Sequence, residues 1–218
     1  MAKKCFDILV SGGVLVWVVG DRTKNGSESG TSFKQVLFFK ELGFNIHDTM
    51  IYQKNNYMPL NHNRYDQAFE YMFILTKGKP KTFNPLKVPC TYAGEGYNLK
   101  GRTSASTSED NGSTRKRDED RIINDEKYRS NIWGYDIGKH KGTKDDVWEH
   151  PATFPDKLAE EHILSWSNKD DLILDIFAGS GTTLKMSEVF KRRSIGIEKV
   201  KKYCNKNISN PLLGPTHL

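Results

Sequence analysis

A carboxylate, a glycine turn and a second carboxylate follow one another late in this chain, in an order that suits a nucleoside ligand. The stretch Leu172-Ile-Leu-Asp-Ile-Phe-Ala-Gly-Ser-Gly-Thr-Thr183 is an apolar run that closes on Asp175 and then turns through Gly179 and Gly181. A second short apolar run, from Ser194, closes on Glu198. Glycines at the turn let the backbone pass close under a ligand, where a Cβ would collide. The N–H groups that open the following helix point outward at the same place. A carboxylate ending the neighbouring strand, the position of Glu198, can accept hydrogen bonds from both ribose hydroxyls.

Three other readings compete with a single nucleoside. A phosphate-binding P-loop needs a lysine before its Ser/Thr and a longer glycine spacing, which Thr182-Thr183 does not provide. A dinucleotide fingerprint needs a third small residue where Leu184 stands, and Phe177-Ala178 interrupts its entry. The plainest reading is a glycine turn that binds nothing.

The elements around the turn predict an α/β unit. Leu172 to Phe177 reads as a strand, Thr182 to Arg192 as a crossover helix and Ser194 to Glu198 as the next parallel strand, with a final helix from about Val200 to Ile208. Asp156 to Ser165 has helical spacing. Earlier, Phe6 to Val10 ends a helix at Ser11-Gly12-Gly13. Val14 to Val19 is a continuous apolar strand, expected to be buried on both faces. Asn-Gly and Ser-Gly turn signals mark the loop Arg22 to Gly30. Thr31 or Ser32 can cap a helix from Phe33 to Leu42. Ile46 to Gln53 and Tyr71 to Thr76 read as strands. Between them the long loop Asn55 to Ala68 is rich in Asn, Tyr and Arg. Thr103 to Asp120 carries almost no apolar residue, so mobility is expected there.

The chain has 218 residues, 36% hydrophobic and 28% charged, with a net charge of +6. That composition belongs to a polar globular protein, and no apolar run approaches the ~18 residues of a membrane span. No signal peptide is legible, and a cytoplasmic protein is expected. The positive charge favours an anionic partner such as nucleic acid, or is simply a basic surface. Cys5, Cys90 and Cys204 are too scattered for a zinc site or a disulfide framework, and His47 and His62 lack ligand spacing, so no metal is expected.

Asp175-Ile-Phe-Ala-Gly-Ser-Gly-Thr-Thr183 resembles the S-adenosylmethionine motif of the DNA amino-methyltransferases, usually Asp-Pro-Phe-x-Gly-Ser-Gly-Thr-Thr, with Ile176 in place of the proline. His150-Pro-Ala-Thr-Phe-Pro155, followed by Lys157-Leu158, is similar to the family's motif for the cofactor's methionine end. It precedes the glycine motif, as in the circularly permuted β class. The resemblance implies a Rossmann-like methyltransferase sheet, mostly parallel with an antiparallel hairpin strand, N-terminally truncated and carrying an irregular inserted recognition region. It divides the chain into a catalytic half (1–78), a target-recognition insert (79–135) and a cofactor half (136–218).

The same resemblance implies roles for residues. Asp175, Phe177, Ala178, Gly179, Ser180, Gly181 and Thr182 would line the S-adenosyl-L-methionine site, with Glu198 on the ribose. His150, Pro151, Thr153 and Phe154 would face the methionine end. Double-stranded DNA would be the partner. Asn63, Arg64 and Tyr65 sit in a loop that could approach the target base, although Tyr65 could equally pack in the core. Asp21 could face the site, or cap a helix. Arg115, Lys116 and Arg117 would meet DNA, or form an ordinary solvated loop.

One departure is serious. The family's catalytic tetrapeptide, Asp/Asn/Ser-Pro-Pro-Tyr/Phe/Trp, occurs nowhere, and the chain has no Pro-Pro. By resemblance its strand lies centrally, between the strand at Leu172 and the strand at Val14. No catalytic residue can therefore be assigned. Without that strand, two others lose their ladder partners. The chain would then pair them directly, recruit another polypeptide, or be a truncated product of low stability. The implied activity is methyl transfer to adenine N6 or cytosine N4 of DNA. The alternative is a non-catalytic remnant that binds DNA and cofactor, or one part of a split enzyme. A nicotinamide oxidoreductase would leave His150 to Pro155 and the insert without a role.

Overall fold

A computed structural model describes residues 1–57, 59, 63–97, 103–105, 114–116, 121–137, 155–201 and 203–204, with backbone alone at 97, 103–105, 114–116 and 121. The chain forms two compact units, one of residues 1–84 and 130–218 and the other of residues 85–129.

The first unit opens with α1 (Ala2–Ile8) and β1 (Val14–Val19), then a small hairpin of β2 (Thr23–Lys24) and β3 (Ser27–Glu28). Next come α2 (Thr31–Glu41), β4 (Asn45–Lys54) and β5 (Phe69–Thr76). The helix expected from Phe33 starts earlier, and neither Thr31 nor Ser32 caps it. Gly30 takes the cap position with φ 62°, and the side chain that satisfies the first amides comes from Asp21, at the end of β1. The carboxylate accepts from the N–H of Thr31 at 2.5 Å and of Ser32 at 3.2 Å, and from the hydroxyls of Ser29 and Ser32. Burial pushes the pKa of Asp21 up, but the bonds from Ser32, Ser29 and the two amides outweigh it and hold the carboxyl below its usual value.

The second unit is built from short antiparallel pairs. They are β6 (Lys87–Pro89), β7 (Gly96–Tyr97), β8 (Thr103–Ala105), β9 (Thr114–Lys116), β10 (Arg121–Ile122) and β11 (Glu126–Tyr128). β6 pairs with β11, β7 with β10 and β8 with β9, so the segment runs out and returns along itself. Returning to the first unit, the chain adds β12 (Ile132–Tyr135), α3 (Asp156–Trp166), β13 (Leu172–Asp175), α4 (Thr182–Val189) and β14 (Arg193–Gly196). Residues 132–135, which the sequence reading placed in the insert, pair in parallel with β4. Most of the helix expected after Val200 lies outside the described residues.

Four strands form one sheet in the order β1-β5-β4-β12, with β5 antiparallel to both its neighbours. Alternation along each strand gives the sheet two apolar faces. One packs Trp17, Phe73 and Leu75 against Val36 and Phe39 of α2 and Cys5 of α1. On the other, Met72 and Ile74 are fully buried and α3 lies across Met72. The expectation for His47 of an ordinary structural residue fits its place at a bulge in β4, edge-on to the Trp166 ring at 5.6 Å.

β13 and β14 form a separate parallel pair with α4 between them in sequence. Among the described residues, β1 pairs only with β5, and β13 only with β14. Direct pairing of β1 with β13, one of the outcomes the sequence allowed, does not occur. Side chains do approach across the interval: Ile176 packs on the core beneath β1, and the Phe177 ring lies 6.1 Å from that of Trp17. The open edge also corrects the expectation that β1 is buried on both faces, since Val18 stays 40% exposed.

His162 of α3 is buried against this sheet. Its Nε2 sits 3.2 Å from the sulfur of Met72, its ring lies 4.7 Å from Trp133, and Nδ1 has no hydrogen-bond partner among the described residues. Burial pushes its pKa down to about 3. The unfolded chain therefore takes up a proton near the ordinary value of about 6.5 that the folded chain refuses. The neutral imidazole's contribution is complete above that pH and is lost as pH falls toward the folded value. Urea denaturation at pH 7.5, 6 and 5 should show stability falling by up to about 1.4 kcal/mol per pH unit below 6.5 from this group. His162→Leu should flatten that dependence, and an unchanged slope would refute the assignment.

Candidate cofactor-binding site

Strand β13 delivers Asp175 to its carboxyl end, paired with Gly196 of β14. Asp175 Oδ1 accepts the Phe177 N–H at 2.9 Å, a side-chain turn that bends the chain out of the strand. The Ala178 N–H then donates to the Ile197 carbonyl at 3.0 Å, and the Gly181 N–H to the Ala178 carbonyl at 2.7 Å. Gly179 and Gly181 hold φ of 52° and 83°, where a Cβ is penalised, so this bend needs glycine at both. Gly181 is the residue from which α4 starts, with no side chain capping it among the described residues. The first amides of α4 therefore open onto the turn.

Glu198 closes the arrangement. Its Oε2 accepts the Gly179 N–H at 2.8 Å, and its Oε1 accepts the Val200 N–H at 2.7 Å. The carboxylate thus faces the glycine turn across the tips of β13 and β14. Each carboxylate oxygen has two lone pairs, the acceptor type that a pair of hydroxyl donors requires. Gly196 is a further requirement that sequence reasoning passed over. A Cβ there would meet Leu184 Cδ2 at 2.8 Å and the Ala178 Cβ at 3.0 Å, so the strand lies hard against the turn and α4. The signal was present in Gly196-Ile-Glu198, where a glycine directly precedes the acid-ending pair.

Beside the turn, Phe177 is 61% exposed and tilted toward Trp17. Ala178, Gly179 and Gly181 are buried, and the Ser180 hydroxyl lies 3.4 Å from that of Thr182. Asp156, which opens α3, forms an ion pair at 2.7 Å with Lys185 of α4, and the two helices pack through Ala159, Ile163 and Met186. The start of α3 is thereby held beside the helix that follows the turn. The four residues expected at the methionine end, His150, Pro151, Thr153 and Phe154, lie outside the described residues.

The structure separates the remaining candidates. Asp21 is engaged by the start of α2, so the cap reading holds for it. Asn63, Arg64 and Tyr65 are exposed, and core packing for Tyr65 is overturned by a ring fully open to solvent. Arg64 donates through Nη2 to the Gly26 carbonyl at the hairpin tip, a link with no local sequence signal. Arg115 and Lys116 fall in β9 of the second unit, and Arg117 lies outside the described residues. No group of three or more His, Cys, Asp or Glu suited to a metal occurs among the described residues. No described helix is long and apolar enough to cross a membrane.

A strand-end carboxylate on a glycine turn, helix amides and an exposed aromatic ring make a donor and acceptor set that fits an adenosine-bearing cofactor. Comparison with known proteins agrees. The family described as DNA methylase, of the N6/N4 methyltransferases, matches residues 1–210. The orphan methyltransferase M.BamHII of Bacillus amyloliquefaciens is 45% identical over 216 residues, covering 97% of this chain and 80% of that protein. The type II methyltransferase M.MjaI of Methanocaldococcus jannaschii is 29% identical over 209 residues, covering 90% of this chain but only 60% of M.MjaI. TTHA0409 of Thermus thermophilus, described as a DNA modification methylase and crystallised with S-adenosyl-L-methionine, superposes with a TM-score of 0.55. It is 25% identical, over 94% of this chain and 70% of that one. The fold is that of the Rossmann-like S-adenosylmethionine-dependent methyltransferases. The chain belongs to the N6/N4 DNA methylase family, whose methyl donor is S-adenosyl-L-methionine.

Proposed function

We propose that this protein takes part in methyl transfer from S-adenosyl-L-methionine to the exocyclic amine of adenine (N6) or cytosine (N4) in double-stranded DNA. The observation that carries this reading is the Glu198 carboxylate held against the Gly179 amide at the tips of β13 and β14. The bound cofactor supplies an electrophilic methyl on a sulfonium. Around it, Glu198 would accept the ribose hydroxyls, Asp175, Ala178, Ser180 and Thr182 would border the glycine turn, and Phe177 would cover an apolar surface. His150, Pro151, Thr153 and Phe154 would flank the methionine end. The net charge of +6 suits a DNA partner, and the unit 85–129 would carry target recognition through residues such as Arg115 to Arg117.

A circularly permuted order, with the catalytic strand supplied from outside residues 1–218, would account for the edges of β1 and β13 that no described strand pairs. Such a strand would arrive either on a longer form of the chain or on a separate polypeptide. It would complete a continuous sheet and bring the acceptors that hold the target amine. There the cofactor would supply the methyl group, its thioether leaving as the amine nitrogen forms the new bond, and the acceptors on that strand would receive the amine's proton.

Calorimetric titration tests the cofactor assignment directly. S-adenosyl-L-methionine should bind, weakly, at one site, and a nicotinamide dinucleotide should not. Binding of the dinucleotide in its place would overturn the reading.

A further inference from the structure

Helix α3 packs on two groups of strands that no described strand joins. One side of it meets α4, of the β13–β14 pair, through Ala159, Ile163 and Met186 and through the Asp156–Lys185 ion pair. The other side meets the four-stranded sheet, where His162 touches Met72 of β5 and Trp133 of β12. Apolar contacts of this kind set a separation but have no preferred direction, so they do little to fix the register of the helix.

One contact on the sheet side is directional. The Tyr135 hydroxyl donates to Glu161 Oε2, and both residues are buried. Tyr135 is itself firmly placed. It pairs with Lys54 of β4, its carbonyl accepts the Asn55 N–H at 2.9 Å, and its ring stands edge-on to that of Tyr52 at 5.8 Å. The other carboxylate oxygen, Glu161 Oε1, lies 3.8 Å from Lys157 Nζ, one turn earlier in α3. Burying a carboxylate is costly unless donors meet it, and apolar side chains of similar volume often serve stability as well. What the hydroxyl–carboxylate bond adds is a defined rotation and register for α3 on β12.

The nucleoside end of the cofactor site is built without α3. Glu198 holds the Gly179 amide, and Gly196 lies hard against Leu184 and Ala178. α3 bears on the other end. It opens at Asp156, beside α4, with Pro155 in the cap position at φ −60°, the value its ring imposes. We propose that Tyr135 and Glu161 are positioning residues for the cofactor: their bond fixes the start of α3, and with it the part of the site that takes the methionine end. This rests on the reading of the site as one for S-adenosyl-L-methionine, with residues 150–154, which directly precede Pro155 in the chain, at that end.

Isothermal titration of the 218-residue chain with two ligands tests this. One is S-adenosyl-L-methionine, and the other is 5′-methylthioadenosine, which lacks the amino-acid end. Tyr135→Phe, which removes one oxygen, should weaken the first by about tenfold through lost preorganisation and leave the second within about twofold. Glu161→Leu should do the same. Glu161→Gln keeps an oxygen that accepts from the hydroxyl and should return to within about threefold of the parent. Tyr135→Phe with Glu161→Leu should lose no more than either alone, since both delete one interaction. Val36→Ala, which thins the core beneath α2, should lower the melting temperature and change neither affinity.

Tyr135→Phe and Glu161→Leu that bind S-adenosyl-L-methionine as the parent does, or that lose both ligands alike, overturn the proposal. If circular dichroism shows one of them unfolded, the other decides, and failure of both to fold makes the bond one of stability alone and overturns it too. A parent that takes methylthioadenosine but binds S-adenosyl-L-methionine no more tightly also overturns it, while leaving a nucleoside site in place. A parent that binds neither ligand removes the cofactor reading, and this one with it.

Discussion

Glu198→Ala should weaken S-adenosyl-L-methionine binding by roughly a hundredfold or more. The carboxylate holds two positions at once. It fixes the turn by taking the amides of Gly179 and Val200 at 2.8 and 2.7 Å, and it is the acceptor the ribose would meet. Hydrogen bonds to a charged group contribute about 1.5–3 kcal/mol each, so losing both ribose bonds alone accounts for two orders of magnitude or more. Two amides without acceptors at the mouth of the site would loosen the left-handed backbone at Gly179 as well. Glu198→Gln keeps an amide oxygen for one of these donors and should lose only about tenfold, the difference reflecting charge. Isothermal titration of both variants, with circular dichroism to confirm folding, checks this. An alanine variant that binds as the parent does would remove Glu198 from the site.

Methyl transfer by residues 1–218 alone should be undetectable, a deficit on the order of 10⁵-fold against an aligned enzyme, because effective molarities of that size come from positioning. The glycine turn follows β13, and β1 stands across an interval in which no described strand pairs with either. No described residue there would hold an amine in line with the sulfonium methyl. Hydrogen exchange gives a readout separate from activity. In β1 the alternate amides facing away from β5 should exchange rapidly, as should those of β13 facing away from β14, while their paired neighbours stay protected. Robust turnover with radiolabelled cofactor and unmethylated DNA would refute this account, as would protection of both sets of amides.

Much of the fold was legible because its strands are short, strongly apolar and punctuated. Val14 to Val19 was bounded correctly at both ends, helped by Gly12 and Gly13 on one side and Gly20 on the other. The turn at Gly179 and Gly181 was legible because φ above zero leaves glycine as its natural occupant. What escaped was long-range. Asp21 lies ten residues from the amide it caps at Thr31, whereas local cap signals point to Thr31 and Ser32. The parallel pairing of β12 with β4 joins strands separated by the whole 85–129 unit, and no local pattern announces such a partner. The solvent position of Tyr65 was equally hidden, since an aromatic in a polar loop reads the same whether it turns inward or outward.

The 85–129 segment begins and ends at one place. β6 and β11 are hydrogen-bonded to each other, and just outside them the Arg129 N–H donates to the Leu86 carbonyl at 2.8 Å. A segment whose entrance and exit are stitched together can be lengthened, shortened or replaced wholesale without asking the remaining residues to move. Such a neck is a natural joint for grafting: a chimaera cut at 85 and 129 would exchange the whole unit, while the turn at Gly179 and the carboxylate at Glu198 stay as they were.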